Sequence, residues 1–221
     1  MFLRSILLGA ATAVLFAAPA SAAMPSIDPL NPCYVVAQET QRELVGVNAT
    51  GFTPLKQVEI FVDDITQGTA DVLYDGTVHG SVPAPFVESD QRTFSIRLAE
   101  LGSSNTATAF SSVTKFSVTQ TPKSARTSQR VRFKGRGFMA PTYVWAHYVF
   151  NGRARKTVQV AYPAGPCGTF DQRRHQFPFK KPREGSWTIQ FDQLPDYNPM
   201  AMTKVLMNIK VRRAPKGSRI R

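Results

Sequence analysis

The sequence predicts an all-β protein built from two tandem β-sandwich modules. A repeat at a fixed offset, apolar and polar residues that alternate with period 2, and Gly and Pro between the apolar runs support this prediction. Each alternating segment has one apolar and one polar face, as expected for a strand that buries one side against a second sheet. Helical periodicity is almost absent.

The repeat divides the chain into two related halves. Residues 95–98 match residues 188–191 at an offset of 93 residues, and residues 116–118 match residues 209–211 at the same offset. The dipeptide Gly-Phe at position 51 recurs at position 137, an offset of 86. We therefore expect the second module to contain seven additional residues between these landmarks.

Alternation and turn residues predict individual strands within each half. The expected strands include residues 58–62 and 94–98 in the first module and residues 131–134 and 187–191 in the second. Asn151-Gly152 separates two further apolar runs, residues 143–150 and 155–161. Asn-Gly is a strong signal for a two-residue β-hairpin turn, so these two runs are expected to pair.

The first 22 residues have the form of a secretory signal peptide. Arg4 precedes an apolar run over residues 6–18, and Ala20-Ser21-Ala22 resembles a cleavage site. The alternative, a membrane anchor, needs about 20 apolar residues, and Pro19 ends this run too early. We expect a secreted or cell-wall-associated product without a transmembrane segment. The expected limits are 1–22 for the signal peptide, 23–120 for the first sandwich, 121–215 for the second and 216–221 for a basic tail, with a short linker at 119–124.

Charge is distributed unevenly between the two modules. Residues 23–120 contain 5 Lys and Arg against 11 Asp and Glu, a net charge of −6. Residues 121–221 contain 21 Lys and Arg against 4 Asp and Glu, a net charge of +17. This asymmetry predicts that the second module meets an anionic partner.

The chain has two cysteines, Cys33 and Cys167, one in each module. An exported chain enters an oxidising compartment, where a disulfide between them is favoured. The alternative is two unpaired thiols, because the separation of the two Cα atoms does not follow from sequence.

Two sets of residues resemble known families. Residues 47–54 and 131–138 resemble the strand, Gly-Phe, turn and strand of bacterial immunoglobulin-like repeats in secreted and cell-surface proteins. Residues 166–170 and 186–192 resemble a group of secreted proteins of high-GC Gram-positive bacteria that have no assigned activity. The resemblance implies two immunoglobulin-like sandwiches, a fold that hosts many unrelated functions. Unlike antibody domains, neither module holds a cysteine pair of its own.

The sequence offers no set of residues with the form of an active site, so we predict a protein without enzymatic activity, catalytic residues, metal or cofactor. No nucleophile elbow, phosphate-binding loop or dinucleotide fingerprint is present. We expect His147 at the surface or a sheet edge and His79 in a turn. A calcium site at Asp63, Asp64, Asp71 and Asp75 and a glycosidase pair of Asp192 and Asp196 are weaker interpretations than solvated loops.

Basic residues of the second module are the main functional signal. They form three clusters in sequence, the last interleaved with Phe170, Phe177 and Phe179. The predicted polyanion-binding residues are Arg130, Arg132 and Lys134; Arg153, Arg155 and Lys156; and Arg173, Arg174, Lys180, Lys181 and Arg183. The alternative is a solvated face of a basic sandwich.

Three functions are consistent with these features. The first is attachment of the basic module to an anionic envelope polymer or surface protein, with nucleic acid as a non-specific ligand. The second is adhesion to another protein through sheet edges. The third is a small-ligand carrier or a hydrolase. The sequence leaves the oligomeric state open.

Overall fold

The computed structural model describes residues 24–212. The predicted signal peptide, residues 1–22, and the predicted basic tail, residues 216–221, lie outside the described residues. Every regular element within residues 24–212 is a β-strand, which confirms the all-β class.

The first module contains nine strands. They are β1 Ser26–Ile27, β2 Cys33–Gln38, β3 Gln41–Arg42, β4 Leu44–Thr50, β5 Gln57–Val62, β6 Ile65–Asp71, β7 Val78–Pro83, β8 Gln91–Glu100 and β9 Thr106–Lys115. One sheet has the order β1-β4-β7 and the other the order β3-β2-β9-β8-β5-β6. All pairs are antiparallel except β2 and β9, which run parallel.

The second module contains seven strands. They are β10 Ser117–Thr121, β11 Arg130–Arg136, β12 Val144–Phe150, β13 Arg153–Ala161, β14 Phe170–His175, β15 Gly185–Asp192 and β16 Val205–Val211. Its sheets have the orders β10-β11-β14 and β13-β12-β15-β16, and all its pairs are antiparallel. Without the additional strands β2 and β3, the first module also has seven main strands, and the two modules share one arrangement. The first, second and fifth main strands form one sheet, and the other four lie in the second sheet. This is the arrangement of an immunoglobulin-like sandwich.

The repeat corresponds to equivalent positions in the two folds. Phe94, Ile96 and Leu98 on β8 face the core of the first module, and Trp187 and Ile189 occupy the same places on β15. The two Gly-Phe sites also correspond, because Gly51 and Gly137 both have positive φ after the second main strand. The match of residues 116–118 with 209–211 is wrong as a structural equivalence. The first segment begins the second module, whereas the second lies in its last strand.

Each sandwich has its own apolar core. In the first module the core is made by inward residues of both sheets, including Val45, Val58 and Ile96. In the second module the core is more aromatic, with Phe133, Phe138, Tyr148, Phe191 and other rings in contact across the two sheets. The Asn151-Gly152 turn joins β12 to β13 with φ angles of 51° and 71°, as the hairpin prediction required.

The two modules meet at a joint that includes a covalent link. Cys33 and Cys167 form a disulfide with Cα atoms 5.2 Å apart, which confirms the predicted pairing. Residues 117–121, predicted to lie partly in the first module and partly in the linker, form β10 and pair with β11. The chain therefore passes between modules at Phe116, whose N–H donates to Val36 O at 2.9 Å.

Close packing fills the joint around Phe116. Its ring lies 4.8 Å from the ring of Phe138, measured between centroids. A Cβ on Gly137 would lie 2.9 Å from Phe116 Cδ2 and 3.0 Å from Val35 Cγ1, so only glycine fits between the two modules there. Arg136 and Asp90 add an ion pair of 2.9 Å across the joint.

Candidate polyanion-binding site

The strand registers place four chain segments of the second module at the end farthest from the joint. The joint lies where β11 ends and β14 begins, at Arg136 and Phe170. The opposite end therefore holds the turn from β10 to β11, the turn from β12 to β13, the loop from β14 to β15 and the end of β16. Hydrogen bonds between neighbouring loops support this placement, since Gln176 N donates to Gln129 O at 3.0 Å.

This end, which we call the basic pole, gathers cations that are widely separated in sequence. All of these cations are exposed. The same described segments contain one acidic residue, Glu184. The basic pole consists of Lys123, Arg126, Arg130, Arg153, Arg155, Lys156, Lys180, Lys181, Arg183, Lys210 and Arg212. Because like charges repel across such a surface, an anionic ligand that bridges them would relieve the repulsion.

Two of the three predicted clusters meet around one concavity at the pole. Arg155 from the β12–β13 hairpin, and Lys181 and Arg183 from the loop before β15, line a space of about 270 Å³. Its apolar lining is Phe179, Pro182 and Trp187. Trp187 Nε1 donates to Arg183 O at 2.8 Å, which fixes this loop over the end of the core. Cations around an apolar floor suit a ligand with both a negative group and a flat or apolar part.

The first predicted cluster lies on the outer face of β11. Arg132 stands opposite Arg173 of β14, and Lys134 stands opposite Asp171. Arg132 donates two hydrogen bonds of 2.6 Å to Asp171, and these bonds, with the nearby charge, lower the pKa of that carboxyl. Arg130, Arg132 and Arg173 line a shallow groove of about 740 Å³ beside the pole. Asp171 therefore already neutralises part of this face.

Arg174 has a different environment from the other predicted residues. Its side chain is partly buried on the opposite side of β14 from Arg173, and its Nη1 and Nη2 donate to Gln159 O and Val160 O at 3.0 and 3.2 Å. These bonds connect β14 to the edge strand β13 of the other sheet. Burial raises the pKa of the neighbouring Tyr148 to about 12, against the opposing effect of the Arg174 charge. Arg174 is therefore not part of the exposed basic surface, because both of its terminal nitrogens donate to β13 within the fold.

His147 is fully buried, so its prediction as a surface or edge residue is wrong. It lies on the central strand β12, on the outer face of its sheet, where the loop of residues 193–204 covers it. Its Nε2 lies 3.1 Å from both Asp192 Oδ1 and Leu194 O, two acceptors, so Nε2 carries the proton. Thr157 Oγ1 lies 2.9 Å from Nδ1. His79 also differs from its prediction as a turn residue, because it lies within β7.

The buried network around Asp192 holds the long loop in place. Asp192 also accepts hydrogen bonds from Gln190 Nε2 at 2.7 Å and from Leu194 N at 2.9 Å. Burial acts to raise the pKa of Asp192, but the bonds from His147, Gln190 and Leu194 outweigh it and the pKa is lowered. The hydroxyl of Thr157, the imidazole of His147 and the carboxylate of Asp192 lie in series, as in a hydrolytic triad. The imidazole, however, has no exposed surface from which to reach a substrate.

The two carboxylate sites considered from sequence do not assemble. Asp63 and Asp64 lie near the joint, where they pair with Arg92 and Arg97. The strand β6 separates Asp64 from Asp71 by seven extended residues, on the order of 23 Å. Asp192 is buried in the network described above while Asp196 is exposed. Within residues 24–212 no group of three or more His, Cys, Asp or Glu side chains is placed to hold a metal ion.

Two of the edge strands, β6 and β13, carry irregularities that oppose strand addition. The pairing of β6 with β5 shifts register between Ile60 and Phe61. The edge strand β13 has two such shifts in its pairing with β12. Bulges twist an edge and interrupt its row of free backbone groups, which is a common protection against unwanted pairing.

Comparison with known proteins finds only weak similarity to solved structures. No family model and no curated protein matches the sequence. A Parabacteroides merdae β-glucuronidase structure aligns at 11% identity and a TM-score of 0.28 over 85% of this chain, which spans 25% of the enzyme chain. Fibronectin(III)-like modules of Clostridium thermocellum CbhA align at 12% identity and a TM-score of 0.28, and the alignment covers 86% of this chain and 94% of theirs. The human OSCAR ligand-binding domain aligns at 11% identity and a TM-score of 0.34, and the alignment covers 87% of this chain and 100% of that domain. Similarities this low carry no functional argument, and the fold assignment rests on the strand order.

The part of the chain that the structure describes contains no helix long and apolar enough to cross a membrane.

Proposed function

We propose that this chain is an exported, non-enzymatic binding protein whose basic pole attaches to an anionic polymer of the cell envelope or the extracellular space. The observation that carries the proposal is the convergence of exposed cations from four separate segments at one end of the second module. Wall polymers, acidic polysaccharide, anionic lipid surfaces and nucleic acid all present the required repeated negative charge.

The position of the pole supports attachment at one end of the molecule. The first module is joined to the opposite end of the second by the disulfide and by packing around Phe116. It leaves the pole uncovered and projects away from it. A bound polymer would therefore hold the protein by one end, with the acidic module displayed outward.

Charge reversal at the pole tests the proposal. The variant R153E/R155E removes two cations beside an exposed turn, and R42E/K56E makes the same change in net charge on exposed residues of the first module. We expect R153E/R155E to elute from a phosphorylated or sulfated polyanion matrix at clearly lower salt than the mature wild-type chain. We expect R42E/K56E to elute close to wild type. Equal shifts for the two variants would show that net charge alone, rather than the pole, governs attachment.

Export is part of the same proposal. The small residues at positions 20–22 indicate cleavage after Ala22. Intact-mass measurement on material from the culture medium or the wall fraction should give a chain that begins at Ala23. A dominant species that retains residues 1–22 would contradict this.

A further inference from the structure

The free end of the first module presents exposed apolar side chains from three loops. Leu55 lies between β4 and β5, Leu73 and Tyr74 lie between β6 and β7, and Leu101 follows β8. Leu55 and Tyr74 are 81% and 84% exposed. The strand registers bring these loops to one end, because Gln57 pairs with Asp71 and the next residue, Val58, pairs with Glu100. We call this set of four residues the apolar tip.

Hydrogen bonds fix the loops of the apolar tip. Glu100 is 4% exposed and accepts bonds from Thr53 N at 2.9 Å and Asn105 Nδ2 at 3.1 Å, so one buried carboxylate ties two of the loops together. Leu55 N donates to Val72 O at 3.1 Å, which connects the third loop. A surface that is rigid before binding loses less entropy when it binds.

The backbone at Leu55 is unusual for an exposed leucine. Its φ is 59°, in the left-handed region that favours glycine. The side chain is exposed, so side-chain packing within the chain does not compensate for this conformation. Unfavourable backbone geometry of this kind is concentrated at functional sites.

The apolar tip also carries negative charge. Asp75 follows Tyr74 directly and accepts hydrogen bonds from Thr77 Oγ1 at 2.6 Å and Thr77 N at 3.0 Å. These bonds lower the pKa of Asp75, so it is ionised at neutral pH. A protruding aromatic ring is therefore followed by a carboxylate that is held in one orientation.

The concavity at the basic pole has the complementary chemistry. Phe179, Pro182 and Trp187 provide an apolar surface for an aromatic ring, while the cations Arg155, Lys181 and Arg183 surround it. We propose that the apolar tip of one copy docks in the pole concavity of a second copy, with Tyr74 against the apolar lining and Asp75 facing the cations. This contact goes beyond polymer binding and uses the same pole.

The geometry of the proposed contact is head to tail. The tip and the pole lie at opposite ends of the two-module chain, so each copy uses a different surface from its neighbour and the contact can repeat. A contact made by one aromatic ring and a few charged groups should be weak and concentration-dependent. Because it pairs exposed charges, it should also weaken with salt. A polyanion bound at the pole should compete with it.

Sedimentation velocity of the mature chain without polyanion tests this inference. At about 50 mM salt we expect the weight-average sedimentation coefficient to rise with protein concentration, and to return to the monomer value at high salt. Y74A should remain monomeric because its apolar tip lacks the tyrosine ring. R183E should remain monomeric because its basic pole lacks one of the cations around the concavity. F110A, which truncates another exposed aromatic residue of the first module, should associate as wild type does.

Mixing the two defective variants gives the sharpest result. Y74A retains an intact pole and R183E retains an intact tip, so an equimolar mixture should form dimers but no larger species. A mixture that stays monomeric, a wild-type chain that stays monomeric at low salt, or association of Y74A equal to wild type would each overturn the proposal. Y74A should retain polyanion binding, so loss of self-association is distinguishable from failure of the proposed function.

Discussion

Replacement of Asp192 by asparagine should destabilise the second module by about 2–4 kcal/mol. The carboxylate accepts bonds from His147 Nε2, Gln190 Nε2 and Leu194 N, at 3.1, 2.7 and 2.9 Å. An asparagine keeps one acceptor oxygen and places an NH₂ group against a donor, either Gln190 Nε2 or His147 Nε2. A buried donor left without a partner costs about 1–3 kcal/mol, and the loss of charge weakens the remaining bonds.

Urea unfolding followed by tryptophan fluorescence measures this effect. The two tryptophans of the chain, Trp145 and Trp187, are both in the second module, so their signal reports its unfolding. D196N changes an exposed carboxylate in the loop that follows Asp192 and should alter stability by less than about 0.5 kcal/mol. A D192N midpoint no lower than that of D196N would refute the argument that the buried network stabilises the module.

The same carboxylate predicts a dependence on pH. The pKa of Asp192 in the folded chain is below its ordinary value of 3.8. Its contribution to stability is therefore fully present above the unfolded-state pKa and is lost as pH falls through the folded-state pKa. The difference in stability between wild type and D192N should shrink as pH is lowered below about 4. A difference that stays constant on acidification would contradict the assignment.

Three further predictions concern the joint between the modules. C33S/C167S should lower stability by up to about 5 kcal/mol, because the disulfide closes a loop with a sequence separation of 134 residues; denaturant unfolding checks this, and an unchanged midpoint would contradict it. G137A should cost about 1–2 kcal/mol or more, because the residue has φ of 82° and no room for a Cβ, and thermal unfolding against wild type measures it. D90N should cost less than about 1 kcal/mol because its ion pair with Arg136 is solvent-exposed, and a larger loss would show that the pair organises the joint.

Six of the sixteen strands within residues 24–212 could be predicted, because alternation and turn residues are local properties of the sequence; these strands are β5, β8, β11, β12, β13 and β15. The strands around residues 58–62 and 187–191 were identified from alternating apolar residues, and the hairpin at Asn151-Gly152 from its turn residues. The expected boundary between residues 120 and 121 falls inside β10. The pairing of β10 with β11 is a long-range contact that local composition does not encode.

The arrangement of the candidate site depends on contacts between residues that are far apart in the sequence. Charge counts indicated a basic module, but the meeting of residues 153–156 with residues 180–183 follows from strand order. His147 was misplaced for a related reason. It occupies an outward position on its sheet, where alternation predicts solvent, and the loop at residues 193–204 folds over it. The length of that loop was the available signal, since loops this long often carry a structural or functional role.

The salt dependence of polyanion binding tests the central claim most directly. The mature chain would be titrated into a fluorescently labelled single-stranded oligonucleotide, as a defined polyanion, at several salt concentrations by anisotropy. If the basic pole makes the contacts, a plot of log affinity against log salt should be steep for wild type. R153E/R155E should lower that slope by about 0.7 for each lost contact, and R42E/K56E should leave it unchanged. Equal slopes for wild type and R153E/R155E, or absence of binding at low salt by the wild-type chain, would contradict attachment through the basic pole.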